Sequence, residues 1–179
     1  MIAQLVDVFK LRIGFIMAIT ALVTMVVTPG EMASMWDAVI LSMAVLIASA
    51  SAGAFNQYYE WDLDAHMPRT SRRPFVTGVF KHDYRWLLII IGLLVFSVGW
   101  AAVTLNEVAA LFIFLGAFSY AIVYTVWLKR RTWWNIVIGG SAGSFAVLAG
   151  AAAIDPGLGP IPVILSIVLF LWTPSHFWS

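Results

Sequence analysis

Six apolar stretches, each near the length that crosses a bilayer, leave little of this chain free to fold in any other way. A hydrocarbon core about 30 Å thick is crossed by about 20 predominantly apolar residues in a helix. The stretches fall near residues 13–28, 38–55, 86–105, 108–128, 133–154 and from 161 to the C-terminus. Too few charges lie between them to cover a soluble surface. Only 11% of the 179 residues are charged and 62% are hydrophobic, whereas a soluble domain carries roughly a quarter charged residues. The same figures exclude disorder, and the absence of cysteine excludes a disulfide scaffold. The expectation is an all-α integral membrane protein: a polytopic transmembrane helix bundle of six spans, forming a single membrane domain over residues 1–179. The lipid bilayer is its environment, and no nucleic acid is expected among its partners.

Charge placement gives the orientation. In a six-span arrangement all ten Lys and Arg residues fall on one side. Lys10 and Arg12 precede the first span and read as its snorkelling flank. Arg69, Arg72, Arg73, Lys81 and Arg85 lie between the second and third spans, and Lys129, Arg130 and Arg131 between the fourth and fifth. The opposite loops carry Glu31, Asp37, Glu107 and Asp155. The positive-inside rule then puts the N-terminus and both basic loops in the cytoplasm. The N-terminus lacks an Arg- and Ser-rich transit segment, which favours a bacterial cytoplasmic membrane.

The outer connections are short, but residues 56–85 form a long charged loop, and long loops in compact proteins tend to carry function. It opens with Asn56-Gln-Tyr-Tyr-Glu60-Trp-Asp62-Leu-Asp64 and continues to Arg69-Thr70-Ser-Arg72-Arg73-Pro74. If the second helix continues past Phe55, then Asn56, Glu60 and Asp64 recur every four residues and share a face. Two carboxylates and an amide oxygen on one face suit Mg²⁺, which takes one or two carboxylates and completes its octahedron with water and phosphate oxygens. The guanidinium groups that follow match phosphate geometry. Asp62 falls on another face, where it serves a second ion or is solvated. The alternative is a charged juxtamembrane loop that only obeys the topology rule. Three acids within five residues weigh against it, because acids contribute little to topology.

A second stretch runs Tyr124-Thr-Val-Trp-Leu-Lys129-Arg130-Arg131-Thr132-Trp-Trp-Asn135-Ile-Val-Ile-Gly139-Gly140. Its basic triplet reads as a stop between two spans. Asn135 lies just inside a span, where an amide is expected to bond a neighbouring helix or face a polar cavity. Gly139, Gly140, Gly143 and Ser144 have the small-xxx-small spacing of a helix-packing face, which would also leave room for a lipid chain. His176, in Thr173-Pro174-Ser175-His176, lies near the cytoplasmic end of the last span as an interfacial hydrogen-bonding residue or a ligand. The proline there suggests a broken helix end.

These residues resemble a known family. Asn56-x3-Glu60-x3-Asp64, followed by Arg69-Thr70 and Arg73-Pro74, is similar to the first acidic motif of the UbiA-type intramembrane prenyltransferases. The wording is closer to the branch that farnesylates protohaem IX. That branch is suggested by Asn56-Gln-Tyr-Tyr-Glu60-x-Asp62-Leu-Asp64-Ala, by Tyr124-Thr-x2-Leu-Lys129-Arg130-Arg131-Thr-x2-Asn135-Ile-Val-Ile-Gly139-Gly140, and by Leu171-Trp-Thr-Pro-Ser-His176-Phe-Trp. The resemblance implies a bundle of nine spans with its active site at the cytoplasmic end. Farnesyl diphosphate and haem B would be the substrates, and haem O and diphosphate the products. It implies a Mg²⁺ cofactor, with Asn56, Glu60 and Asp64 as catalytic and metal-ligating residues. Arg69, Arg73, Lys129 and Arg130 would neutralise the diphosphate, Asn135 and His176 would be candidate substrate contacts, and haem–copper oxidase assembly factors would be candidate partners.

Two departures stand out. The family's second acidic motif and last three spans lie beyond residue 179, so the resemblance reaches about the first two-thirds of a member and implies a half-site with little or no activity alone. Phe145-Ala146 also stands where the family often has a proline pair. The rival expectations are a related transferase acting on an aromatic or quinone-precursor acceptor, and a non-catalytic membrane scaffold or small transporter.

Overall fold

The computed structural model describes residues 1–31, 33–132 and 134–178, with side chains described as far as His176. In chain order the elements are α1 (Ile2–Val8), α2 (Leu11–Val27), α3 (Met35–Tyr59), α4 (Trp61–Asp64), α5 (Tyr84–Thr104), α6 (Glu107–Phe118), a π-helix (Ser119–Leu128), α7 (Asn135–Gly139), α8 (Ser141–Ala152) and α9 (Pro160–Trp178). There is no strand among the described residues. Among the described residues, four helical segments are long and apolar enough to cross a membrane: Met35–Tyr59, Tyr84–Thr104, Glu107–Leu128 and Asn135–Ala152. Two of these are composite, α6 running into the π-helix and α7 into α8. A fifth forms if α1 and α2, bent by 56° at their junction, count as one broken span, and a shorter apolar helix covers Pro160–His176. Each of the six expected stretches is therefore helical, although length and composition qualify only four or five as spans. The expected start of the fifth stretch at Trp133 lies outside the described residues.

Local chemistry sets several helix starts. Ser34 and Asp37 form a reciprocal capping box at the start of α3, the Ser34 hydroxyl accepting from the Asp37 N–H at 3.1 Å and Asp37 Oδ2 accepting from the Ser34 N–H at 3.0 Å. The Asn106 side chain caps α6 by accepting from the Ala109 N–H at 2.8 Å, and its Nδ2 donates to the Ala152 carbonyl at 2.8 Å, tying α6 to the end of α8.

The packing is that of helices in lipid, where small residues let backbones approach and hydroxyls bond across helices. Ala18, Ala21, Ala44, Ala48, Ala52, Ala101, Ala110, Ala117 and Ala149 are all buried in one core. Helix α3 lies at its centre, against α2, α5 and α6, while α8 packs on α2, α6 and α9. A Cβ on Gly150 would lie 2.0 Å from the Ala21 carbonyl oxygen, so α2 and α8 touch backbone to backbone. Ser97 donates to the Ala44 carbonyl at 2.7 Å, Ser51 to Ile90 at 2.8 Å and Ser144 to Ser166 at 2.8 Å. Large apolar side chains such as Leu88, Phe96, Val168 and Leu171 are exposed, where lipid would meet them.

The expected break at Pro174 does not occur, and α9 runs through it. Hydroxyls add bonds on either side of the Phe170 carbonyl, which the proline leaves without an N–H donor: Thr173 donates to the Leu169 carbonyl at 2.9 Å and Ser175 to Leu171 at 3.0 Å.

Candidate functional site

Helix α3 ends at Tyr59, yet the i→i+4 ladder hardly pauses. The Glu60 N–H donates to the Asn56 carbonyl at 3.1 Å and the Asp64 N–H to the Glu60 carbonyl at 2.9 Å, carrying the chain from α3 into α4. Asn56, Glu60 and Asp64 consequently share one inward face, as their spacing predicts, and are only 2%, 1% and 3% exposed. Burying two carboxylates is unfavourable without partners, and each has one. Lys129 donates to Glu60 Oε2 at 2.5 Å, and Arg73 to Asp64 Oδ2 at 2.5 Å. The loop after α4 is folded to deliver Arg73: the Thr70 hydroxyl donates to the Asp64 carbonyl at 3.0 Å, and Phe75 is buried against Tyr58, Phe80 and Trp86.

Asn56 sits at the centre of the network. Its Nδ2 donates to Glu60 Oε2 at 2.7 Å and to Thr125 Oγ1 at 3.2 Å, while its Oδ1 accepts from Lys10 Nζ at 2.5 Å. Lys10 also donates to the Tyr120 hydroxyl at 2.9 Å. Here the structure corrects the reading of Lys10 as a snorkelling flank. Its backbone is left-handed (φ 46°) at the break between α1 and α2, and the side chain turns into the bundle. Its stem passes over Gly53, where a Cβ would lie 3.1 Å from Lys10 Cβ.

The π-helix explains how Tyr120, Thr125 and Lys129 reach the same place. Thr125 Oγ1 donates to the Tyr120 carbonyl at 2.9 Å, and the Lys129 N–H to the Tyr124 carbonyl at 2.9 Å, both five residues back. At the α-helical 3.6 residues per turn, nine residues make about two and a half turns and would put Lys129 opposite Tyr120. The wider i→i+5 winding brings nine residues to about two turns, and hence to one face.

The other expected site residues are less central. Arg130 donates to Asp62 Oδ1 at 3.2 Å and lies over the Tyr59 ring at 5.1 Å, so Asp62 is neither simply solvated nor turned towards the buried carboxylates. Arg69 is exposed and makes no hydrogen bond or ion pair among the described residues. Asn135 opens α7 half-buried, with no side-chain hydrogen bond to a neighbouring helix among the described residues. His176 is exposed and stacks on Trp172 at 4.5 Å. Sequence reasoning missed Lys10, Thr70, Tyr120 and Thr125 as parts of the site. Lys10 carried a signal, being a cation at a span end, but one that topology alone explains.

Beside the polar cluster opens a cavity of about 480 Å³, lined mainly by apolar side chains from α2, α3, α6, α8 and α9, with Lys10, Tyr120 and Tyr124 at its polar edge. Its volume falls within the ~300–1,000 Å³ range of small-molecule sites. Gly139, Gly140 and Gly143 line it while also serving as packing points: a Cβ on Gly139 would lie 2.6 Å from the Tyr124 ring, and one on Gly140 2.9 Å from Thr173 Cβ. The packing reading of the glycine run therefore holds, and the same glycines border the cavity.

The donor set fits a hard divalent cation such as Mg²⁺. Glu60 Oε1 is buried with no hydrogen-bond partner, a free oxygen on the face shared with Asn56 and Asp64. No group of three or more carboxylate, imidazole or thiol side chains among the described residues is placed to hold an ion. Two carboxylates and an amide would leave the remaining coordination positions to water and ligand oxygens.

The chain as a whole has relatives among known proteins. Protoheme IX farnesyltransferase 2 of Paramagnetospirillum magneticum is 55% identical to this chain over 175 residues, covering 98% of the chain and 61% of the relative. Protoheme IX farnesyltransferase 1 of the same organism is 46% identical over 179 residues, covering 98% and 62%. Protoheme IX farnesyltransferase 1 of Cenarchaeum symbiosum is 41% identical over 182 residues, covering 98% and 60%. The chain thus spans about three-fifths of the length of these curated relatives. No solved structure matches it. The UbiA prenyltransferase family pattern matches residues 17–179, a stretch that holds the buried acids, the π-helix and most of the cavity wall, and the chain belongs to that family.

Proposed function

We propose that this chain serves in the transfer of a farnesyl group from farnesyl diphosphate to a vinyl group of haem B, giving haem O and diphosphate. The observation that carries the reading is the junction of two environments: a buried acid–cation cluster that suits a metal-bound diphosphate, directly beside an apolar cavity that suits a prenyl chain. The relatives' printed names supply the acceptor and the prenyl length, which the cavity alone does not specify.

Asn56, Glu60 and Asp64 would hold Mg²⁺, with Glu60 Oε1 the oxygen already free. When bound, such an ion stabilises negative charge on phosphate oxygens. Arg73 and Lys129, now on carboxylates, are within reach of a diphosphate beside them and would stabilise the charge that develops as the allylic C–O bond breaks and its electron pair leaves with the diphosphate. Tyr120 and Tyr124, stacked at 5.4 Å, offer aromatic faces to the allylic cation along the cavity. The allylic carbon then bonds the vinyl terminus, and water adds to the resulting cation with loss of a proton, leaving a hydroxyethylfarnesyl group. The apolar walls keep water from the allylic cation before that bond forms.

The test supplies the full gene product, in membranes, with labelled farnesyl diphosphate, Mg²⁺ and haem B. Label in haem, lost in Glu60→Gln and on chelation of Mg²⁺, is the expected outcome. Label entering a phenolic acid but never haem would overturn the acceptor. Mg²⁺-dependent diphosphate binding that survives Glu60→Gln with Asp64→Asn would overturn the site.

A further inference from the structure

We propose that Lys10 is a substrate-binding residue, its ammonium taking the anionic head of the prenyl donor where the polar cluster meets the apolar cavity. The proposal rests on the diphosphate reading above and adds to it a cation from the N-terminal helices.

Three observations carry it. The first is a cation that no carboxylate pairs with directly. Arg73, Lys129 and Arg130 each face a carboxylate, whereas both hydrogen-bond partners of Lys10, the Asn56 amide oxygen and the Tyr120 hydroxyl, are neutral. No carboxylate forms an ion pair with it among the described residues. A largely desolvated ammonium held by neutral dipoles retains most of its attraction for an incoming anion, more than one already neutralised by a carboxylate.

The second is position. Lys10 both bonds Asn56 and lines the cavity, so an anion at its Nζ would carry an attached hydrocarbon chain into that cavity.

The third is that the surrounding backbone is shaped to deliver this side chain. A left-handed lysine is uncommon, and such outliers persist only where the surrounding structure holds them. Gln57 Nε2 donates to the Asp7 carbonyl at 2.8 Å, and Val8 is fully buried against Ala54, Phe75 and Ile90, which together fix the end of α1. Gly53 leaves the space through which the lysine stem passes. A flank serving only to set topology would need none of this, because the membrane surface would accept the charge in any rotamer.

The experiment measures equilibrium binding of farnesyl thiodiphosphate, a slowly ionising donor analogue, and of uncharged farnesol to the purified full chain in lipid nanodiscs with Mg²⁺. It compares the wild type with Lys10→Met, Lys10→Gln and Lys10→Arg. The neutral variants should weaken analogue binding by about tenfold or more, the arginine variant by less than about threefold, and farnesol binding should shift by less than about twofold throughout. Lys10→Gln keeps an N–H donor for Asn56 and carries the test if Lys10→Met fails to fold. Unchanged analogue binding in the neutral variants overturns the proposal. So does a parallel loss of analogue and farnesol, because Lys10 would then only shape the cavity. A wild-type chain that binds farnesol but not the analogue would instead remove the diphosphate reading, and this proposal with it.

Discussion

The Asn56 amide is oriented by its neighbours: its nitrogen faces two acceptors, Glu60 and Thr125, and its oxygen faces the Lys10 ammonium. Thr125 is fully buried, and its one hydroxyl accepts from Asn56 while donating to the Tyr120 carbonyl. Thr125→Val preserves the shape but removes both bonds. Leaving buried polar groups without a partner costs about 1–3 kcal/mol, so the midpoint of thermal unfolding in detergent should fall. Donor-analogue affinity should fall as well, because the amide loses one of the contacts fixing its rotamer. An unchanged midpoint and affinity would mean that water replaces the hydroxyl. At this scale the sequence was half legible. The four-residue repeat of Asn56, Glu60 and Asp64 gave the shared face, because helical geometry converts spacing directly into direction. Lys10 and Thr125 were opaque, because their roles depend on contacts 46 and 69 residues away along the chain.

Among the elements, α2 and α8 approach backbone to backbone at Gly150, where an added methyl would occupy the space of the Ala21 carbonyl oxygen. Backbone cannot rotate aside as a flexible side chain can. Gly150→Ala should therefore separate the two helices and destabilise the bundle by about 1–3 kcal/mol, in the range of overpacked cores, whereas Gly99→Ala, which meets nothing within 4 Å, should not. Thermal unfolding of the two variants side by side checks this, and equal midpoints would contradict it. The helices themselves were legible as apolar stretches of bilayer length. The π winding of residues 119–128 was not, since an apolar run reads alike in either winding, and it is the winding that puts Tyr120 and Lys129 on one face. Pro174 misled for a related reason: α9 continues through it, and the bonds of the Thr173 and Ser175 hydroxyls to the carbonyls on either side show only once the helix is in place.

Over the whole molecule, the segments that carry the basic residues converge on one end of the bundle. Arg73 from the loop before α5, and Lys129 and Arg130 from the end of the π-helix, meet the acids that close α3 and α4, and Lys10 from the α1–α2 break bonds Asn56 beside them. At the other end, Asn106 bonds Ala152, and Gly30 lies against Ile154. The charge asymmetry that implied orientation is thus also what assembles the site. If the positive-inside rule governs insertion, the site faces the cytoplasm, where a soluble diphosphate would be encountered. These 179 residues contain no cysteine, so a single cysteine introduced among them is the only thiol they carry. Val79→Cys lies in the exposed loop before α5, and Pro156→Cys in the exposed turn between α8 and α9. Neither substitution changes a charge, so neither should alter the topology it measures. A membrane-impermeant maleimide applied to intact bacterial cells, with the outer membrane opened, should label Pro156→Cys at once and Val79→Cys only after the inner membrane is permeabilised. The reverse pattern would place the cation-rich end outside and remove the physical basis for a cytoplasmic donor.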